Sequence, residues 1–329
     1  MRVGPAQQIG DERGLLQAGR RRGDRVRRCC DLGELHDARV VRHDRRTSLS
    51  NAEERLAEFC DVLDDSRARR PDDGGHPWTS FAALGDSFTE GLDDPRPDGS
   101  YRGWADLVAR RLAQGQPEFG YANLAVRGRL MPQIVAEQVP PAMRMKPDLV
   151  SIVGGVNDML RPAFDARAVH RSLDRAVGSL RENGSDVVLV VGVNPTARSK
   201  ALARLMPRVV ALNEAVAAVA ERWECYAVDL FGANVFDDHR LWAADRLHLS
   251  SLGHERVAGA YLQALGVGDD SWREPLPPAE PGQWVQARRE DVDWLRAHLL
   301  PWFGRRARGE SSGIAVTAKR PQLSVVGDD

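Results

Sequence analysis

Five short apolar runs punctuate the middle of the chain: Phe81–Leu84, Tyr121–Val126, Leu149–Val153, Val187–Val193 and Tyr226–Leu230. Most are rich in β-branched residues and are bounded by Gly, Asn or Asp, as strands buried on both faces of a parallel sheet are. Between them apolar positions recur at helical spacing. Trp104, Leu107, Val108, Arg111 and Leu112 give one face, Val169, Leu173, Ala176, Val177 and Leu180 a second, and Val209, Leu212, Val216, Val219 and Ala220 a third. Strand alternating with helix in this way predicts an open parallel sheet wrapped by helices on both faces. In such a sheet, ligands and chemistry sit beyond the carboxyl ends of the strands. The residues that follow each run are therefore the ones to inspect.

The flanks read differently. Residues 1–78 carry arginine clusters (Arg20–Arg22, then Arg25, Arg27 and Arg28) interleaved with acids, and few of their apolar positions repeat. One helix is expected within Asn51–Leu63, where Leu56, Phe59, Cys60 and Leu63 share a face and Ser50 and Glu53 form a capping box. The stretch 69–77 has the composition of a linker. Residues 1–78 are expected to be a mostly disordered extension, or coding sequence lying upstream of the true start. The folded domain is expected over 79–268. Beyond it, 269–329 reads as a Pro-rich connector (274–282), an amphipathic helix with Val292, Leu295 and Leu299 on one stripe, and a disordered tail from Gly304. Trp272, Trp284, Trp294 and Trp302 are expected to pack this appendage onto the domain or a second subunit, in preference to shallow membrane association.

Composition narrows the picture. The 329 residues carry 46 basic and 47 acidic side chains, a net charge of -1, so nothing favours a nucleic-acid partner held by charge. Only Lys146, Lys200 and Lys319 are lysines, a bias that points to a GC-rich genome rather than to arginine sites. Apolar residues make up 42 %, enough for a core. The four cysteines (Cys29, Cys30, Cys60, Cys225) form no C-x-x-C pair or disulfide framework. With no signal h-region and no apolar span, the expected location is the cytoplasm.

Four groups of polar residues stand where the sheet pattern places chemistry. After the first run comes Gly85-Asp-Ser87-Phe-Thr-Glu-Gly91, a serine on a tight glycine-flanked turn. Alone it reads as a turn or cap serine, and Thr89 departs from the G-x-S-x-G pattern. No phosphate-binding glycine loop occurs. Gly128 follows the second run and allows close approach of a backbone N–H. Asn157 follows the third and either donates its amide into a cleft or makes an Asx-turn. Asp245-Arg-Leu-His248 precedes the last helix. An Asp three residues before a His can hold its Nδ1–H and leave Nε2 free to take a serine proton. A metal site from Asp237, Asp238, His239, Asp245 and His248 is the rival, without a recognised ligand spacing. Together the groups supply what acyl transfer needs: a nucleophile (Ser87), a base (His248), an orienting acid (Asp245), and oxyanion donors in the Ser87 and Gly128 N–H groups and the Asn157 side chain.

In order and content, Gly85-Asp-Ser-Phe, Gly128, Gly155-Val-Asn157-Asp and Asp245-Arg-Leu-His248 resemble the four blocks of the SGNH hydrolases, also called GDSL lipases or esterases, over roughly residues 79–266. The resemblance implies a three-layer α/β/α flavodoxin-like sandwich with a five-stranded parallel sheet. It also implies a serine esterase without a cofactor that cleaves carboxylic esters of a small molecule, lipid or acylated sugar. Phe88 replaces the Leu of the GDSL name and keeps the serine's surroundings apolar. Arg127 and Arg129 flank Gly128, and their charge is expected to bias substrate choice. Acyl transfer to a sugar or alcohol, and binding of an acyl or sugar ligand without turnover, are the alternatives.

Overall fold

The computed structural model describes residues 75–195, 203–278 and 316–327. The helix expected within 51–63, the Trp-containing helix near 292–302, and Trp284, Trp294 and Trp302 lie outside the described residues.

The apolar runs become parallel strands: β1 (Ser80–Leu84), β2 (Gly120–Asn123), β3 (Leu149–Ile152), β4 (Asp186–Val191) and β5 (Tyr226–Asp229). β1 lies between β2 and β3, and β3, β4 and β5 follow outward, so the chain reverses direction at β1. This is the doubly wound, flavodoxin-like order, whose switch point is where a site is expected. Alternation along β1 feeds both faces. Ala82 and Leu84 enter one core with Ile134, Leu173 and Val216, whereas Phe81 and Ala83 enter the other with Trp104, Val257 and Tyr261.

The helices that build these two layers are α1 (Ser87–Glu90), α2 (Trp104–Leu112), α3 (Met131–Met145), α4 (Val156–Met159), α5 (Ala166–Glu182), α6 (Met206–Arg222) and α7 (Ser251–Ala264). α3 has no counterpart among the predicted apolar faces, and its interior holds Pro140 and Pro141. Proline normally breaks a helix interior. Here the apolar face formed by Met131, Ile134, Val139 and Ala142 is buried in the core, and tertiary packing overrides the local preference.

A sixth strand corrects the picture of the C-terminal tail. β6 (Arg320–Val325) runs antiparallel along the outer edge of β2, pairing Val325 with Gly120 and Ser324 with Tyr121. Its six residues include Pro321 and are mostly exposed, so no apolar pattern announces them. An open edge of unpaired N–H and C=O groups organises them instead, and an edge strand tolerates proline. Lys319, just before it, donates through Nζ to the carbonyls of Tyr101 and Arg102 and pairs with Asp106 at 2.9 Å. Trp272 also belongs to the core, with its Nε1 donating to Gln263 Oε1 at 2.7 Å, so the domain's packing runs past residue 268. No helix among the described residues is long and apolar enough to cross a membrane.

Candidate active site

β1 delivers Ser87 to the carboxyl edge of the sheet. Two flanking groups shape the turn. Asp86 caps α1 by accepting from the Phe88 N–H at 3.1 Å. Gln138, buried on α3, holds both backbone groups of Gly85, accepting from its N–H at 2.7 Å and donating to its carbonyl at 2.8 Å. Ser87 thus sits at the head of a single helical turn whose backbone is fixed from both sides. Phe88 packs against Trp104, with ring centroids 5.9 Å apart.

His248 comes from the loop between β5 and α7. The loop is closed at its base by bridges between Trp242 and Leu249 and by the Ala243 N–H on the His248 carbonyl at 2.9 Å. Asp245 organises the interior. Its Oδ1 accepts from the Leu247 and His248 N–H groups, each at 3.0 Å, and its Oδ2 lies 2.5 Å from His248 Nδ1. His248 Nε2 stands 2.9 Å from Ser87 Oγ. Residues 161 positions apart in sequence are thereby linked in one hydrogen-bonded chain. Ser250 caps α7 by accepting from Gly253 N, so of Ser250 and Ser251 the first takes the cap. His254 is a buried structural residue. Its Nδ1 accepts from Trp104 N at 3.2 Å, its Nε2 donates to the Leu92 carbonyl at 3.1 Å, and burial pushes its pKa down to about 4.

Charge in the site follows from these contacts. Burial opposes ionisation of Asp245, but hydrogen bonds and charge from His248 and the loop N–H groups bring it down to about 2. Burial likewise opposes protonation of His248, and the Asp245 hydrogen bond and charge outweigh it, holding the imidazole above its ordinary 6.5. Asp86 moves the other way: burial lifts it to about 6 against the Phe88 N–H, His248 and Asn157.

The remaining residues named from the sequence gather beside this chain. Gly128 adopts φ 79°, in the left-handed region where glycine is favoured. Asn157, at the start of α4 and buried, donates to Asp86 Oδ2 at 2.7 Å and to the Arg129 carbonyl at 3.1 Å. The two arginines that flank Gly128 are each held by a carboxylate. Arg127 is locked to buried Glu90, which accepts both its guanidinium and its backbone N–H, the latter at 2.8 Å. Arg129 pairs with Glu137 at 2.8 Å. Glu90 is thus a site residue that reading the sequence missed. Its distance of 37 positions from Arg127 left no local signal.

The metal alternative is also redrawn. Asp238 is taken up by Arg240, with contacts of 2.6–3.1 Å. The carboxylates that gather round His248 are those of Asp245 and Asp93, whose side-chain ligand atoms lie within 4.8 Å of one another and of the imidazole. Asp93 likewise went unnoticed in the sequence, because only the fold brings it to His248.

The model of the GDSL-like lipase/acylhydrolase family matches residues 83–256, more than half of the chain. The chain belongs to that family. Among solved structures, LAE5, an α/β hydrolase enzyme from the metagenome of Lake Arreo in Spain, is 22% identical over 60% of this chain and 98% of its own, with a TM-score of 0.49. Axe2, an acetylxylan esterase from Geobacillus stearothermophilus, is 22% identical over 60% and 97%, at 0.48. A lipase/acylhydrolase from Enterococcus faecalis is 21% identical over 57% and 95%, at 0.47. No curated protein matches the chain.

Proposed function

We propose that the chain is a serine esterase that cleaves carboxylic esters through an acyl-enzyme on Ser87. The observation that carries this reading is the continuous Ser87–His248–Asp245 hydrogen-bond chain, 2.9 Å and 2.5 Å long at its two links. In the first step Ser87 Oγ attacks the ester carbonyl and His248 Nε2 takes the hydroxyl proton. Asp245 holds the Nδ1–H tautomer and stabilises the imidazolium. The alcohol leaves with the proton from His248. Water then attacks the acyl-enzyme, giving its proton to His248, and the carboxylic acid departs as Ser87 is restored.

The oxyanion is held by the Ser87 and Gly128 N–H groups and by Asn157. Both amide hydrogens of Asn157 already have acceptors, Asp86 Oδ2 and the Arg129 carbonyl. A developing negative charge on the substrate oxygen competes best for the longer of these bonds, the 3.1 Å one to Arg129. Asp86 keeps the amide aimed while the exchange occurs.

Two expected results test this reading within the site. Because His248 works as a neutral base and its pKa is held above the ordinary 6.5, kcat/KM rises with pH through a limb above that value. Protonation at lower pH removes the base, whereas Asp245, at about 2, stays ionised throughout. A rate profile on a soluble acetate ester between pH 5 and 9 measures the limb, and a flat profile contradicts the mechanism. Product analysis in the same assay, with and without an added alcohol acceptor, separates hydrolysis from acyl transfer. Second, Glu90→Gln leaves the Arg127 N–H and guanidinium to share the single oxygen of a neutral amide, with an NH₂ group where the second carboxylate oxygen stood. Its effect falls on the adjoining Gly128 donor, so kcat drops about 10-fold with KM within about twofold. An unchanged kcat would remove Glu90 from this role.

A further inference from the structure

Asp93 lies on the loop after α1, outside all the sequence blocks that carry the family resemblance. Its Oδ2 stands 3.6 Å from His248 Nδ1, the nitrogen that Asp245 already engages at 2.5 Å. The placement is built into the backbone. Asp93 adopts φ 68°, a left-handed conformation that few residues other than Gly, Asn and Asp accept readily. Its neighbours on both sides are pinned. The Leu92 carbonyl accepts from His254 Nε2, and buried Asp94 accepts from the Gly103 N–H at 2.9 Å and from Arg102 Nε at 2.8 Å. A mobile surface carboxylate would need none of this.

We propose that Asp93 is a second positioning carboxylate for His248, sharing with Asp245 the task of holding the Nδ1–H tautomer and the imidazolium over Ser87. The proposal rests on the serine-esterase reading of the site. The other titratable groups that face this imidazole are Asp245 on its own loop, Asp86 at the end of β1 and His254 on α7, with the Arg127 charge placed so as to offset part of that of Asp93. Asp86 is committed to Asn157, and neutral His254 is committed to Trp104 and Leu92. Among the described residues, Asp93 makes no hydrogen bond to a lysine or arginine that would divert it, and its side chain keeps 40 % exposure, so its field on His248 is moderate and partly screened.

Asp93→Asn removes the charge with little change of shape and keeps a residue type that tolerates φ 68°, and Asp93→Gly does so by a second route. Without the negative charge, the protonated imidazole is less stable. In both variants the acid limb of kcat/KM moves about half to one pH unit lower, with KM near the parental value. Asp93→Glu restores part of the shift. In an Asp245→Asn background Asp93 becomes the remaining carboxylate on Nδ1. That single variant then loses roughly 10²-fold, short of the roughly 10⁴-fold expected when a sole orienting acid is replaced, and adding Asp93→Asn takes the loss toward the larger figure. A limb that stays at the parental pH in Asp93→Asn and Asp93→Gly overturns the proposal. So does a double variant no slower than Asp245→Asn, or a change confined to KM, which marks a substrate contact instead. Ser87→Ala run alongside separates the two levels. If it is inactive and the limb unmoved, the Asp93 role alone is rejected; if it turns over at the parental rate, the serine reading falls as well.

Discussion

Ser87→Ala is expected to lower turnover of short p-nitrophenyl esters by roughly 10⁴- to 10⁶-fold, the range seen when the nucleophile of a comparable acyl-transfer site is removed. Labelling by a fluorophosphonate probe should vanish with it. The fold should survive, because the residue that caps α1 is Asp86 and the clamp on the preceding turn is Gln138. The side-chain hydrogen bond given up is the one to His248, at 2.9 Å, and such a bond contributes about 1 kcal/mol. The melting temperature should therefore fall by no more than about 2–4 °C. This combination, a large kinetic loss with a small thermal one, separates a nucleophile from a structural serine. Retention of even a tenth of the parental rate by a folded variant would transfer the nucleophile's role elsewhere.

The strands were legible in the sequence because both faces of the sheet are covered. Val187–Val191 has no solvent side to satisfy and so reads as an unbroken apolar run. The candidate serine, glycine, asparagine, aspartate and histidine could be singled out because their order along the chain supplies every part that acyl transfer needs, although each alone reads as a turn or cap residue. What could not be read is what only a distant partner defines. Glu90 looks like any helix-end acid until Arg127 is folded against it. Gln138 sits in a helix interrupted in sequence by two prolines, and its purpose appears only when Gly85 arrives beneath it. β6 is the strongest case. Arg-Pro-Gln-Leu-Ser-Val has weak strand propensity and no alternation, and its conformation is imposed by the free edge of β2.

Leu241–Ser250 and the N-terminal turn of α7 approach each other so closely that the position between them admits no side chain, which makes Gly253→Ala the second test. A Cβ there would lie 2.1 Å from the Leu241 carbonyl oxygen and 3.0 Å from Leu249 Cδ2. Alanine has the higher helix propensity, by about 1 kcal/mol. The obstacle is backbone rather than a flexible side-chain tip, so the overpacking cost is expected to win, at roughly 2–3 kcal/mol net and a drop in melting temperature of about 4–12 °C. The damage reaches the chemistry because Leu241 O is also the acceptor for Ser250 N at 3.0 Å, and the Trp242–Leu249 bridge beside it closes the loop bearing Asp245 and His248. Pushing that carbonyl aside displaces His248 from Ser87, and a shift of about 1 Å costs on the order of 10²-fold in rate. Activity per folded molecule should fall accordingly at a temperature well below the new melting point. If Gly253→Ala instead melts higher and hydrolyses at the parental rate, helix propensity has outweighed the clash, and the loop's dependence on this contact is refuted.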